Sequence, residues 1–387
     1  MKGLYKYLAP FAPDYSGAVS VLFEMGGLIV VCDAGGCTGN ICGYDEPRWY
    51  NSKSALFSAG LRDLDTIFGR DDILLDKIVD AVSQIACELA AFVGTPAPAV
   101  IGTDFKALIR AAKQRIALSV LAIDTNGMDL YDRGQEKAYM NLFQTFATAR
   151  EKDTSGIGVI GATPLDLPNK ESFLRLAARL QSVGCGETVC YGMGAGVEEI
   201  KKAANVCCNL VVSPSGLKAA RWLRERYGTP YIAGFPFAAN SAKALAAKIE
   251  MIVNGMDTPE KVAVTKEENG GVLIIHQQIF ANAVRDHLRA QYRYNNIDVA
   301  SWFMLDEEFI EPGDSCLREE TDLSALLAKR RYKAVIGDPL FKRAISDWQG
   351  EYIDLPHYAV SGRLFSDSLN EHDCLAPLNQ YFSAHMT

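Results

Sequence analysis

Short β-branched apolar runs alternate with amphipathic stretches along most of the chain. Leu28, Ile29, Val30 and Val31 form a strand-sized run next to an apolar stretch at 17–23. A run of this length bounded by glycine reads as a buried strand. The glycine- and cysteine-rich stretch CDAGGCTGNICGYDEPRW (32–49) reads as a loop at that strand's carboxyl end. Ile73, Leu74, Ile78, Val82, Ile85 and Leu89 recur near one face, which predicts a helix over 71–91. Pro96 and Pro98 punctuate the chain, and 99–101 reads as a short strand. A helix over 105–115 and a strand over 116–123 follow, ahead of the polar loop DTNGMDLYDRG.

The rhythm then repeats. Strands are expected at 156–161, 188–191 and 209–212, and helices at 171–183, 197–204 and 216–227. A polar, glycine-punctuated segment at 254–271 marks a boundary. Beyond it, strands at 272–276, 299–303 and 334–336 alternate with helices at 278–290 and 324–330. Such alternation predicts βαβ units with parallel sheets. The carboxyl ends of those strands are where open α/β sheets place ligands.

The length of 387 residues suits two or three domains. An apolar fraction of 49% excludes a disordered chain. Acidic residues outnumber basic ones by 47 to 39, for a formal charge of -8, which argues against nonspecific nucleic-acid binding. No apolar run approaches the ~20 residues of a membrane span. The N-terminal MKGLYKYLAPFAPDYSG lacks an uninterrupted apolar stretch behind its lysines and does not read as a signal peptide. A cytoplasmic location is therefore expected, where clustered cysteines serve as metal or redox ligands more than as disulfides.

The strongest chemical signal is Cys32-x4-Cys37-x4-Cys42 beside Gly27, Gly35, Gly36, Gly39 and Gly43. Three thiolates in eleven residues suit a soft metal centre. Iron–sulfur clusters take cysteine thiolates, usually four, whereas structural zinc favours tighter pairs. Neighbouring glycines such as Gly36 let the backbone approach a cluster and donate N–H groups to it. The fourth position is open to Asp33, to Cys87, to a residue of another subunit or to substrate. Reduced cysteines packed as small apolar residues are the plainer alternative. Cys87 fits the helical pattern as a core residue. Cys185 and Cys190 form a C-x4-C pair around Gly186, open as a ligand pair but more often incidental; the vicinal pair Cys207 and Cys208 reads as structural, and Cys316 and Cys374 stand alone.

These residues carry a resemblance. PFAPDYSGAVSVLFEMGGLIVVCDAGGCTGN resembles the N-terminal region of the nitrogenase component 1 superfamily, with CDAGGC in the place of that family's G-P-x-G-C loop and Cys37 at its cluster ligand. SALFSAGLRDLDTIFGRDDILLDKI resembles a following family segment, with Asp63, Asp65, Phe68 and Gly69 at its marked positions. TPAPAVIGTDF, CNLVVSPSGLKAARWLRERYGTPYI and RYKAVIGDPL resemble later ones. The departures are informative. The family's third cluster cysteine falls at Pro96, and its cofactor-binding cysteine at Ser213. Its cofactor-binding histidine segment has a counterpart in LPHYAVSG, at His357.

The resemblance implies an α/β protein of three Rossmann-like domains with parallel sheets around a central cleft, bounded at 1–153, 154–265 and 266–387. It implies a [4Fe–4S] cluster near a dimer interface shared with a second copy or a paralogous subunit, with Cys37 at the family's ligand position; Cys32 and Cys42, which depart from the family's standard pattern, are expected to join Cys37 as ligands on the strength of their spacing. It further implies electrons from an ATP-dependent iron protein and reduction of a small-molecule substrate other than dinitrogen. His357 is the histidine placed for catalysis, and His372 and His385 fall in a C-terminal tail. With no G-x4-G-K-[ST] motif in the chain, nucleotide hydrolysis belongs to the partner. Two other functions are open on the same residues. One is a scaffold for metallocofactor assembly, and the other is a cluster-free small-molecule binding protein.

Overall fold

The computed structural model describes residues 6–49, 53–62, 71–149, 156–167, 170–256, 269–365 and 375–385. Asp63, Asp65, Phe68, Gly69, His372, Cys374 and most of the boundary segment at 254–271 lie outside those residues.

Three parallel sheets are present among the described residues. In the first, β1 (Gly27–Val31), β2 (Ala55–Ser58), β3 (Leu89–Val93) and β4 (Ser119–Ile123) take the order β2-β1-β3-β4. In the second, β5 (Ile157–Ile160), β6 (Thr188–Cys190), β7 (Cys208–Val211) and β8 (Tyr231–Ala233) repeat it as β6-β5-β7-β8. The third holds β9 (Asn269–Ile275), β10 (Ile297–Ser301), β11 (Ser315–Cys316), β12 (Arg331–Gly337) and β13 (Glu351–Asp354), ordered β11-β10-β9-β12-β13. In each sheet the winding direction reverses beside the first strand. The crevice at such a switch point, beyond the strands' carboxyl ends, is the ligand position of doubly wound folds.

The helical pattern expected over 71–91 divides in two. A helix covers Asp71–Gln84, and Leu89 already belongs to β3. The strand is buried at every position, so its continuous apolar run mimics a helix's apolar face. The strand expected at 99–101 is instead the end of a helix, Pro96–Ile101. Proline at its first position has no N–H to lose there, and its φ already suits a helix. Leu375–His385 is helical, with Leu378 and Phe382 buried.

Two packed helices have no clear apolar periodicity in the sequence. Taken in chain order, α1 is Asp14–Leu22 and α2 is the central helix Tyr131–Phe146. Every residue of α1 is buried. On α2, buried polar residues (Asp132, Gln135) interrupt the apolar stripe. The two helices cross with their backbones in contact. A Cβ on Gly17 would stand 1.8 Å from the Tyr131 carbonyl oxygen, and one on Gly134 would stand 1.7 Å from that of Asp14. Only glycine permits this approach. It carries the start of α2, with Tyr131 and Gln135, to the meeting point of the sheets.

Candidate functional site

Cys37 lies at the carboxyl end of β1, on the first sheet's switch point. It belongs to a short helical turn, Gly36–Asn40, that runs into a wider turn, Ile41–Asp45, carrying Cys42. Cys37 is half-buried and Cys42 exposed. Burial raises the Cys37 thiol above its usual range, and hydrogen bonds with Tyr15 and Thr95 act in the opposite sense. Gly35, Gly36, Gly39 and Gly43 stand in open space, with no atom within 4 Å of an added Cβ. Gly35 has φ +116°, a left-handed conformation that favours glycine. The loop is therefore a clear platform around two thiols.

Cys32 does not share that platform. Side chains alternate along a strand, and Leu28, Val30 and Cys32 point into the core beneath the sheet, whereas Cys37 packs on the other core. Cys32 is 3% exposed, and burial pushes its thiol up to about 12. The two named candidates for a fourth ligand are also unavailable. Asp33 accepts hydrogen bonds from the Thr38 N–H (2.8 Å), the Thr38 hydroxyl (3.0 Å) and the Ser58 hydroxyl (2.6 Å). Cys87 precedes β3, at the opposite end of a five-residue parallel sheet, roughly 16 Å away at ~3.3 Å per residue. Iron–sulfur centres are held by cysteine thiolates. Of the three thiols, Cys37 and Cys42 are the two not closed into the core, and no group of three or more His, Cys, Asp or Glu among the described residues is arranged to hold a metal.

Buried ions fasten the platform's far end. Asp45 accepts from Ser16 and Asn40. The Arg48 guanidinium donates to both Glu46 oxygens, to Glu24 and to the carbonyls of Ser20 and Gly192. Glu24 in turn accepts from the Gly194 N–H. The glycine-rich loop after β6 is thus occupied by the chain's own charges, which join the first unit to the second.

A second polar assembly fills the junction of the three sheets. Tyr131 donates its hydroxyl proton to Asp166 Oδ1 at 2.7 Å, and the Tyr131 hydroxyl oxygen lies 3.2 Å from His357 Nε2. Gln135 donates to Asp166 Oδ2 and to the Thr163 hydroxyl, and accepts from the Ser215 hydroxyl. The Ser213 and Ser215 hydroxyls lie within hydrogen-bond distance of each other, at 3.2 Å. The His357 ring stacks on His276 with centroids 4.2 Å apart, and Phe303 stands edge-on to both Tyr131 and His357. Burial lowers the His357 imidazole to about 3 and raises the Asp166 carboxyl to about 7.

This junction is where the resemblance places the nitrogenase cofactor, and its residues do not fit that group. Ser213 offers a hydroxyl in place of a thiolate, and that hydroxyl is engaged. Tyr131, Gln135, Thr163, Ser213 and Ser215 have no exposed surface, so no water-sized space touches them. The sequence pattern does not reveal this polar run, because its members come from four separate segments. Only Ser213 and His357 carry a signal, each through its position in a segment that resembles the family's.

Comparison with known proteins gives the family and the fold. The sequence model described as nitrogenase component 1 type oxidoreductase matches residues 13–273. A light-independent protochlorophyllide reductase subunit of Nostoc punctiforme is 23% identical over 197 residues, 48% of this chain and 39% of that one. The nitrogenase iron-molybdenum cofactor biosynthesis protein NifE of Mesorhizobium japonicum is 24% identical over 294 residues, 73% of this chain and 57% of that one. The chain thus spans well under two thirds of either relative. The solved structure "Nitrogenase Cp1 at pH 6.5" superposes with a TM-score of 0.65 at 10% identity, covering 100% of this chain and 96% of that one, a likeness of fold. With the family's sequence model matched over most of the chain, this protein belongs to the nitrogenase component 1 type oxidoreductases.

Proposed function

We propose that the chain is an iron–sulfur oxidoreductase subunit that receives low-potential electrons from an ATP-dependent iron protein and reduces a small molecule other than dinitrogen. The observation that carries this reading is the pair Cys37 and Cys42 on an open glycine platform at a switch point. Two thiols from one chain and two from a second complete the four that a [4Fe–4S] cluster takes. Such a cluster, when bound, supplies one-electron transfer at low potential.

The surroundings suit a dimer seam. Tyr44 (69% exposed), Val100 (83%) and Met128 (81%) are large apolar side chains on the segments that follow β1, β3 and β4. Gly127 abuts Pro96, which brings the last two of these segments together. Burying such side chains would favour association by roughly 1.5–3 kcal/mol each. In this arrangement Tyr15 and Thr95 orient Cys37, Asp33 pins the loop, and Cys32 serves the core.

A scaffold for metallocofactor assembly is the second reading, favoured by the NifE match over 73% of the chain. Anaerobic protein loaded with iron and sulfide separates the two. Reoxidation of the reduced cluster by substrate, with the iron retained, supports the reductase. Transfer of the cluster to an apo-acceptor without turnover supports the scaffold.

A further inference from the structure

Tyr15 reaches the cysteine platform from α1. Its side chain is buried, and Cys37 packs against the core to which it belongs. The Tyr15 hydroxyl is hydrogen-bonded with both Cys37 and Asn40. These two stand three residues apart on the turn Gly36–Asn40 and so share one face of it. The directions of the bonds follow from a count of protons. The Asn40 amide has two hydrogens. One goes to Asp45 Oδ2 at 2.7 Å, and the Ser16 hydroxyl ties that same oxygen to α1 at 2.6 Å. The other serves the Tyr15 oxygen, since this contact favours negative charge there, as a donated N–H does. The Tyr15 proton is then left for the Cys37 sulfur, where its effect is again that of a donor, favouring negative charge on sulfur. Thr95, the other hydroxyl beside Cys37, gives its single proton to the Cys32 carbonyl at 2.7 Å. Tyr15 is the neighbouring side chain with a proton to give.

We propose that Tyr15 sets the reduction potential of a cluster held by Cys37, by donating its hydroxyl hydrogen bond to the ligand sulfur, and that Asn40 positions it for this. This role of Tyr15 rests on the reading of Cys37 and Cys42 as cluster ligands, and it is the same in a reductase and in a scaffold. Reduction adds negative charge that spreads onto the ligand sulfurs. A donor at such a sulfur stabilises the reduced form more than the oxidised one and raises the potential. Tyr15 is shielded from water, which strengthens the bond. The hydroxyl keeps its proton in both states, so no bond breaks. The Asp33 carboxylate acts on both Cys37 and Cys42 in the opposite sense, as a like charge. Cys42, the exposed thiol, is hydrogen-bonded by its own backbone N–H. The two ligands are therefore unequal, and the added charge is stabilised on the Cys37 side, toward the core.

The test uses the full-length protein, purified anaerobically and loaded with iron and sulfide. Tyr15→Phe removes the hydroxyl and keeps the ring. It is expected to hold the wild-type iron content. In a redox titration its reduction equilibrium should shift about threefold to tenfold toward the oxidised form, a potential lower by roughly 30–60 mV at ~59 mV per tenfold. Asn40→Ala is expected to shift it the same way by less. Electron–nuclear double resonance of the reduced cluster, before and after exchange into heavy water, reads the proton itself. The wild type should show one exchangeable proton at the cluster that Tyr15→Phe lacks. If that variant fails to fold or to hold iron, fluorotyrosine at position 15 serves; as a more acidic donor it is expected to raise the potential. Equal potentials in wild type and iron-loaded Tyr15→Phe, or no rise with fluorotyrosine, overturn the role of Tyr15 and leave the cluster reading standing. A wild type that holds no iron overturns both.

Discussion

Ser213 and His357, which sit 144 positions apart at the ends of different sheets, are joined by one unbroken run of polar contacts through Ser215, Gln135, Asp166 and Tyr131. Both are positions that the family resemblance links to a cofactor. In this chain they are tied to each other instead, and the space between them is filled. Tyr131 is the central member, because its hydroxyl serves two buried partners. Tyr131→Phe should cost about 1–3 kcal/mol of stability, since it leaves Asp166 and His357 each short of a partner. Anaerobic urea unfolding checks this, and an unchanged midpoint would count against the run as a structural tie.

The crossing of α1 and α2 that places Tyr131 allows a sharper test. Gly134→Ala sets a methyl where the Asp14 carbonyl now lies, 1.7 Å away, and neither backbone can yield without moving the junction. Loss of soluble folded protein, or a fall in melting temperature of more than ten degrees, is expected. Gly43→Ala meets nothing within 4 Å and should keep the wild-type melting temperature.

The three cysteines should separate cleanly. Cys32→Ala removes a core sulfur and is expected to cost roughly 1–2 kcal/mol while keeping the wild-type iron content. Cys37→Ala and Cys42→Ala should each lose most of the iron and the visible absorption with little change in the fold. Iron that depends on Cys32 as strongly as on Cys37 would overturn this division.

Asp166 gives a pH signature. Its carboxyl is raised to about 7 by burial in the folded state, against ~3.9 in an unfolded chain. The folded state therefore holds the proton more tightly, and this group's contribution is fully present below the unfolded value. It is lost as pH rises through about 7. Asp166→Asn mimics the protonated form. Its stability relative to wild type should rise between about pH 4 and pH 7 and level off above. Parallel denaturation curves at pH 5 and pH 8 measure this, and a pH-independent difference would contradict it.

Much of the architecture is legible because parallel strands are short, apolar and bounded by glycine. Val30 and Ile160 sit in strands close to where the pattern puts them. The misreadings have local causes. Leu89 continues an apolar spacing from a helix into a buried strand, and Pro96 opens a helix where the sequence reads as a break. The clustering of Cys32, Cys37 and Cys42 in sequence does not predict their faces. Alternation from Leu28 through Val30 to Cys32 is the available signal that the first thiol points into the core. The run from Ser213 to His357 is not legible, because hydrogen bonds between distant segments leave no period in the chain.

The central claim is that two chains share one cluster on Cys37 and Cys42. The most direct measurement is iron and acid-labile sulfide per chain in anaerobically purified protein, with molar mass by light scattering on the same sample. The account predicts a dimer with about two iron and two sulfide per chain. A folded protein with neither, or a monomer holding about four of each, would contradict it.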